Sequence, residues 1–158
     1  MSFSGFFSAQ DGHWVPLVSP VDETGGKTSN AFSMAMWAHA SILVAIGVSA
    51  AAPGAVTLNA CSNAAGAGAT PIPFNVFKCE TQNGDVLGAK TAVTATGFVP
   101  AAVDNIFYVI EVDAQQLPQG LPYLQLAEAD ATNSVINSAF ALLSGGRQIS
   151  DQSATVLV

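Results

Sequence analysis

Residues 41–48 read SILVAIGV, and at a period of two the side chains separate: Ile42, Val44, Ile46 and Val48 fall on one face, Leu43, Ala45 and Gly47 on the other. Large β-branched residues on one side and smaller ones on the other predict a strand buried on both faces. Ala50-Ala51-Ala52-Pro53-Gly54 closes it, with Pro-Gly as the turn signal. The alternation returns in residues 105–113, NIFYVIEVD, where Ile106, Tyr108, Ile110 and Val112 oppose Phe107, Val109 and Glu111. This strand is expected mid-sheet. Residues 55–61, AVTLNAC, set Val56, Leu58 and Ala60 against Thr57 and Asn59 and predict a half-exposed strand. SNAAGAGATP (62–71) offers nothing to pack a core and predicts a loop. IPFNVFKCET (72–81) alternates Ile72, Phe74 and Val76, so residues 55–81 read as a hairpin with a long tip.

Four further segments are weaker. KTAVTATGF (90–98) is a Thr-rich strand candidate, residues 115–122 are turn-rich with room for one helical turn, and YLQLAEA (123–129) is another strand. SVINSAFALLS (134–144), ending at Gly145-Gly146, fits a short helix and a strand equally. Six to eight strands punctuated by Pro and Gly, with no long amphipathic helix, predict an all-β fold: an antiparallel β-sandwich or jelly-roll-like barrel over residues 31–147. Residues 1–30 carry Phe3, Phe6, Phe7 and Trp14 among Ser, Gly and Pro and are expected to form an extended N-terminal arm; residues 148–158 form a C-terminal tail. These aromatics are too many for a purely solvated tail. Part of the arm should be ordered by contact, folded back on its own sheet or clasping a neighbour, with Phe3, Phe6, Phe7 and Trp14 as candidate partner contacts.

Composition sharpens this picture. The 158 residues fit one domain able to bury a self-sufficient core. Only 9% are charged, against roughly 25% in an ordinary soluble domain, while 50% are hydrophobic. The surface must therefore be neutral and polar, as in proteins that pack many neighbours in an assembly. Lys27, Lys78, Lys90 and Arg147 are the only cations in a chain of net charge −7, too few to neutralise a phosphate backbone, so no direct nucleic-acid partner is expected. A hydropathy window would flag residues 34–53 as a membrane span. His39, Ser41 and Ser49 interrupt it, Lys27 is the only cation near either end, and Trp37 lies inside it, so a strand is expected there and no membrane. The first seventeen residues lack the basic start of a secretory signal.

Candidate chemistry is sparse. His13 and His39 show no metal-ligand spacing, and His39 reads as a hydrogen-bonded residue at the start of a strand. LLSGGRQ (142–148) lacks the spacing of a nucleophile elbow, and SNAAGAGAT lacks the lysine of a phosphate loop. Glu111 with Asp113, and Glu128 with Asp130, are spaced to share a strand face and could bind Ca²⁺ or share a proton; a solvated strand edge is the plainer expectation for both. Cys61 and Cys79 are expected as free, buried thiols of a protein folded in a reducing cytoplasm. No catalytic residue, metal site or cofactor is expected.

Four stretches together, FSMAMWAHASILVAIGVSA, AVTLNACSNAAGAGATPIPF, DNIFYVIEVDAQQLP and NSVINSAFALLSGGR, resemble small virion proteins of tailed bacteriophages that are encoded near the major capsid protein and decorate or cement the head. The likeness covers residues 32–147. It implies a structural role on the outer surface of the capsid, binding to the major capsid protein lattice, homo-oligomerisation as a dimer or trimer, and synthesis in the bacterial host cytoplasm. It carries over no catalytic residues. Two alternatives stand beside it: a tail, neck or head-fibre component of the virion, and a secreted carbohydrate-binding β-sandwich using exposed aromatics.

Overall fold

The computed structural model describes residues 5, 7–146 and 155–156. Among them the chain forms strands β1 (His13–Asp22), β2 (Lys27–Thr28), β3 (Phe32–Ser33), β4 (His39–Ser49), β5 (Val56–Cys61), β6 (Thr70–Ile72), β7 (Phe74–Cys79), β8 (Thr91–Val93), β9 (Ile106–Asp113), β10 (Tyr123–Glu128) and β11 (Val135–Ser144), with a single 3-10 turn at Ala114–Gln116. One sheet runs β1-β11-β4-β9-β7-β8 and the other β2-β10-β5-β6, with β3 also paired to β10. The pairing is antiparallel throughout.

The pairs are nested: β1 with β11, β2 with β10, β4 with β9, β5 with β6. A long hairpin folded in this way and then rolled, so that β4 also meets β11 and β5 also meets β10, is a jelly roll. β7 and β8 extend the first sheet beyond that core arrangement. The sandwich therefore realises the expected all-β class. Among the described residues no helix is long and apolar enough to cross a membrane.

The core lies between the sheets. Ile42, Val44 and Ile46 of β4 meet Ile106, Tyr108, Ile110 and Val112 of β9 on one side, with Leu58, Leu124 and Leu126 facing them, all fully or almost fully buried. Tyr108 is the largest of these, and its hydroxyl is satisfied: it accepts from the Ala101 amide at 2.8 Å and donates to Glu80 at 2.9 Å. Burial, reinforced by the Glu80 carboxylate, pushes this phenol well above its ordinary range.

Several expectations change on meeting the structure. Of the arm expected over residues 1–30, His13–Asp22 folds back on the chain's own sheet, one of the two arrangements expected for it, as the edge strand β1 paired along β11. Its buried residues Val15 and Val18 lie three apart, because the register shifts between Pro16 and Val18, and that irregularity hides the strand from a period-two reading. Pro16 and Pro20 suit an edge, where they have no ladder bond to donate. In the tail, Thr155 accepts a hydrogen bond from the Ser33 amide and Val156 packs against the core.

The strand predicted over residues 72–81 is two strands in different sheets. β6 pairs with β5 in the smaller sheet, then the chain crosses at Pro73 and β7 pairs with β9 in the larger one. Residues 134–144 resolve as strand β11. β4 is buried on one face only; Leu43, Ala45 and Gly47 are half-exposed. Val48, expected to face inward with Ile42, is 65% exposed, since the β4–β11 register slips between Asn137↔Ile46 and Val135↔Ser49 and leaves an extra residue on β4. Cys61 sits opposite Tyr123 in one sheet and Cys79 opposite Phe107 in the other, both buried and free.

Candidate functional site

The second face of β4 places the most distinctive surface of the molecule. Residues directly opposite one another in a sheet share a face, so the registers can be read as rows across the outside of the six-stranded sheet. One row runs Pro16 (β1), Phe140 (β11), Leu43 (β4), Val109 (β9), Phe77 (β7). It crosses five strands without a polar side chain, and each member is exposed or half-exposed. Above it lie Trp14 and Leu142, then Ser41 and Glu111; below it lie Ser138, Ala45 and Phe107. Trp14 is 47% exposed at the β1 end, and Phe140 36%.

Below the row the face is dented. Ala45 and Gly47 are too small to fill the space between Phe107 and Ile136, and the result is a shallow depression of about 540 Å³ with Pro20 on its rim. A Cβ at Gly47 would make only ordinary van der Waals contact with Ile136. The dent is thus a consequence of the small-residue face of β4 seen in the sequence.

The upper end of the face is polar and ordered. His39, at the first position of β4, sits opposite Asp113 of β9. Its Nδ1 lies 2.7 Å from Asp113 Oδ1 and its Nε2 2.5 Å from Glu111 Oε2, while the Ser41 hydroxyl donates to the same Glu111 oxygen at 2.6 Å. Burial works against charge on the imidazole. The hydrogen bonds and charges of Asp113 and Glu111 outweigh it, and the ring's pKa is raised. With a carboxylate on each nitrogen, His39 is arranged as an imidazolium donating twice. Neither nitrogen is free to take a proton from Ser41, whose hydroxyl is itself committed to Glu111, so the group does not have the relay of a nucleophilic site.

The acidic pairs singled out in the sequence meet different fates. Glu111 and Asp113 do share a face, and both converge on His39. Glu128 and Asp130 part company. Glu128 is 3% exposed, against the expectation of a solvated edge, whereas Asp130 is at the surface, accepting from the Gly25 and Thr132 amides. Sequence reasoning missed Glu128's environment because its neighbours, Glu23 and Asn137, are supplied by other strands' ends. Among the described residues no three His, Cys, Asp or Glu side chains are grouped to hold a metal ion.

Of the four aromatics predicted to touch a partner, Trp14 flanks the apolar row, and Phe7 is 58% exposed just before the chain enters β1. Phe3 and Phe6 lie outside the described residues.

Comparison with known proteins adds one structural neighbour. No family model matches the chain, and no curated protein matches it. Its fold is similar to the crystal structure of the SPBc2 prophage-derived protein YomS. The two are 12% identical, with a TM-score of 0.44 over 83% of this chain and 94% of that one. At that distance the likeness carries no conclusion about activity or partners.

Proposed function

We propose that this chain is a structural protein of a tailed-phage virion, which decorates the outer surface of the capsid and stabilises it by laying the outer face of the six-stranded sheet on the major capsid protein lattice. The observation that carries this reading is the apolar row Pro16, Phe140, Leu43, Val109 and Phe77. At about 4.8 Å between strands it spans about 19 Å, a contiguous apolar strip of the kind that marks an interaction surface. Leu43 and Val109 stand at its centre, where a contact excludes water best.

The rest of the molecule suits the same role. The chain carries few charges to desolvate at an interface. The β1 edge, broken by Pro16 and Pro20, discourages strand addition at that side of the larger sheet. Trp14, at one border of the face, and Phe7, exposed ahead of β1, are available for contact with the capsid or with a sister subunit of a symmetric dimer or trimer. The role calls for no cofactor, nucleic acid or membrane. The resemblance of residues 32–147 to head decoration proteins agrees with it.

The test is binding to purified phage heads that lack the protein. Leu43→Lys and Val109→Lys put a charge into the middle of the face without entering the core. Both should weaken binding at least tenfold while leaving the far-ultraviolet circular dichroism and urea midpoint near wild type. Wild-type binding by both variants would overturn the docking face, and attachment confined to tails or a neck would favour a different place on the virion.

A further inference from the structure

The buried acids at one end of the sandwich are not used by the docking face. Glu23, just after β1, is 1% exposed, Glu128 at the end of β10 is 3% exposed, and Asn137 of β11 is 2% exposed. The Asn137 amide nitrogen has two hydrogens and gives one to each acid: Nδ2 donates to Glu23 Oε2 at 2.5 Å and to Glu128 Oε2 at 2.8 Å. The other oxygen of Glu23 accepts from the Gly54 amide at 2.6 Å, so Glu23 is served as a carboxylate on both sides. Two atoms are left over. Glu128 Oε1 and Asn137 Oδ1 are both buried acceptors, and neither has a hydrogen-bond partner among the described residues.

A single proton resolves both orphans. On Glu128 Oε1 it turns that atom into a donor, and Asn137 Oδ1 becomes its acceptor, the reciprocal pairing of a carboxylic acid with a carboxamide. We propose that the folded protein holds Glu128 as a neutral acid, with Glu23 ionised across Asn137, and that this proton locks the two sheets together at one end of the sandwich. The lock joins β10 of the smaller sheet to β11 of the larger one. It also joins the end of β1 to the turn that carries β4 into β5, where Gly54 lies so close to the Ala129 backbone that no Cβ fits.

The surrounding charges favour the proton. Desolvation raises the Glu128 carboxyl, moderated by the Asn137 hydrogen bond and assisted by the Glu23 charge, to about 7; desolvation also raises Glu23, despite the Gly54 amide. Asp22 and Asp130 add like charge on Glu23 from the surface, and Glu23 in turn acts on Glu128; each aspartate is held ionised by its own hydrogen bonds, Asp22 by Ser134 and Thr24, Asp130 by Gly25 and Thr132. Lys27 of β2, whose backbone pairs with Glu128 of β10, is the one cation acting on the group among the described residues; its ammonium reaches the Thr24 carbonyl at 3.4 Å.

For an acid whose folded pKa is raised, the folded state binds the extra proton. Stability is complete below the unfolded value near 4.5 and declines as pH rises to about 7, beyond which the loss is full. The folding constant should fall by roughly 300-fold across that window from this group alone. The experiment compares urea unfolding of the full chain at pH 4.5 to 8.5 for wild type and Glu128→Gln, whose amide can donate to Asn137 Oδ1 at every pH. His39 titrates in both proteins, so the readout is the difference between them. The variant should be the more stable protein at pH 8, with most of the wild-type decline gone. In parallel, the Glu128 side-chain carboxyl carbon in wild type, followed by NMR, should keep the shift of a neutral acid at pH 6. An ionised Glu128 at pH 6, or parallel pH profiles in the two proteins, would overturn the proposal. So would a rise in wild-type melting temperature at pH 8 on adding Ca²⁺ or Mg²⁺ that Glu128→Gln lacks, since the site would then hold a cation.

Discussion

Ile42 and Leu43 are adjacent in β4, chemically alike, and lie on opposite surfaces: one in the core, the other on the proposed docking face. Ile42 is fully buried, so Ile42→Ala removes three carbons from close packing, about 2.4 kcal/mol by transfer alone. The unfilled space adds to this, for a cost of about 3 to 4 kcal/mol. In a chain of this size that lowers the melting temperature by about 10 °C. Leu43 is half-exposed on the outer face, where loss of the same carbons leaves a site open to water, at a cost of about 1 kcal/mol. Urea unfolding followed by fluorescence separates the two, because Trp37 is 4% exposed and reports loss of the core. Equal costs for the two variants would refute the reasoning. They would mean that the outer face is covered in the isolated protein and is not available to a partner.

Two further outcomes follow from the polar groups. Tyr108→Phe leaves the Ala101 amide without its acceptor and Glu80 without its donor, and should cost about 1 to 3 kcal/mol in urea unfolding; a neutral effect would show that the hydroxyl is not tied in. The His39 ring, followed by NMR, should titrate above 6.5, because its folded pKa is raised by Asp113 and Glu111. The stability its charge contributes is complete below 6.5 and lost as pH rises through the folded value. A midpoint at or below 6.5 would contradict the double ion pair.

The sequence speaks most clearly where one face of a strand is buried and the register is regular. β4 and β9 are legible from alternation alone because Ile42, Val44, Ile46 and Ile106, Tyr108, Ile110 all point into the core. β1 is not, since its bulges and two prolines break the period, and so an edge strand reads as an arm. The jump of the chain between sheets at Pro73 is equally silent: Ile72, Phe74 and Val76 keep their alternation while their partners change from β5 to β9. β11 was ambiguous because its inward positions are Val135, Asn137, Ala139, Ala141 and Leu143, small or polar for a core strand; Asn137 is inward because it serves two buried acids.

The proposed docking face is hidden in the sequence for a related reason. Each strand contributes one apolar residue to the row, and no single segment looks unusual; only the registers of β1, β11, β4, β9 and β7 line the five up. Phe3, Phe6, Phe7 and Trp14 are the partner contacts the sequence suggests, yet the centre of the candidate surface is Leu43 and Val109. His39 was legible as a hydrogen-bonded residue where its strand begins, but not its two carboxylates, which come from β9 some seventy residues away.

A cryo-EM map of the assembled particle tests the central claim most directly. It should show this jelly roll at many symmetry-equivalent positions on the outside of the head, with Leu43 and Val109 turned toward the major capsid protein. Density for the chain only at a tail or neck, or on the head through the opposite sheet with Leu43 and Val109 facing solvent, would contradict the account.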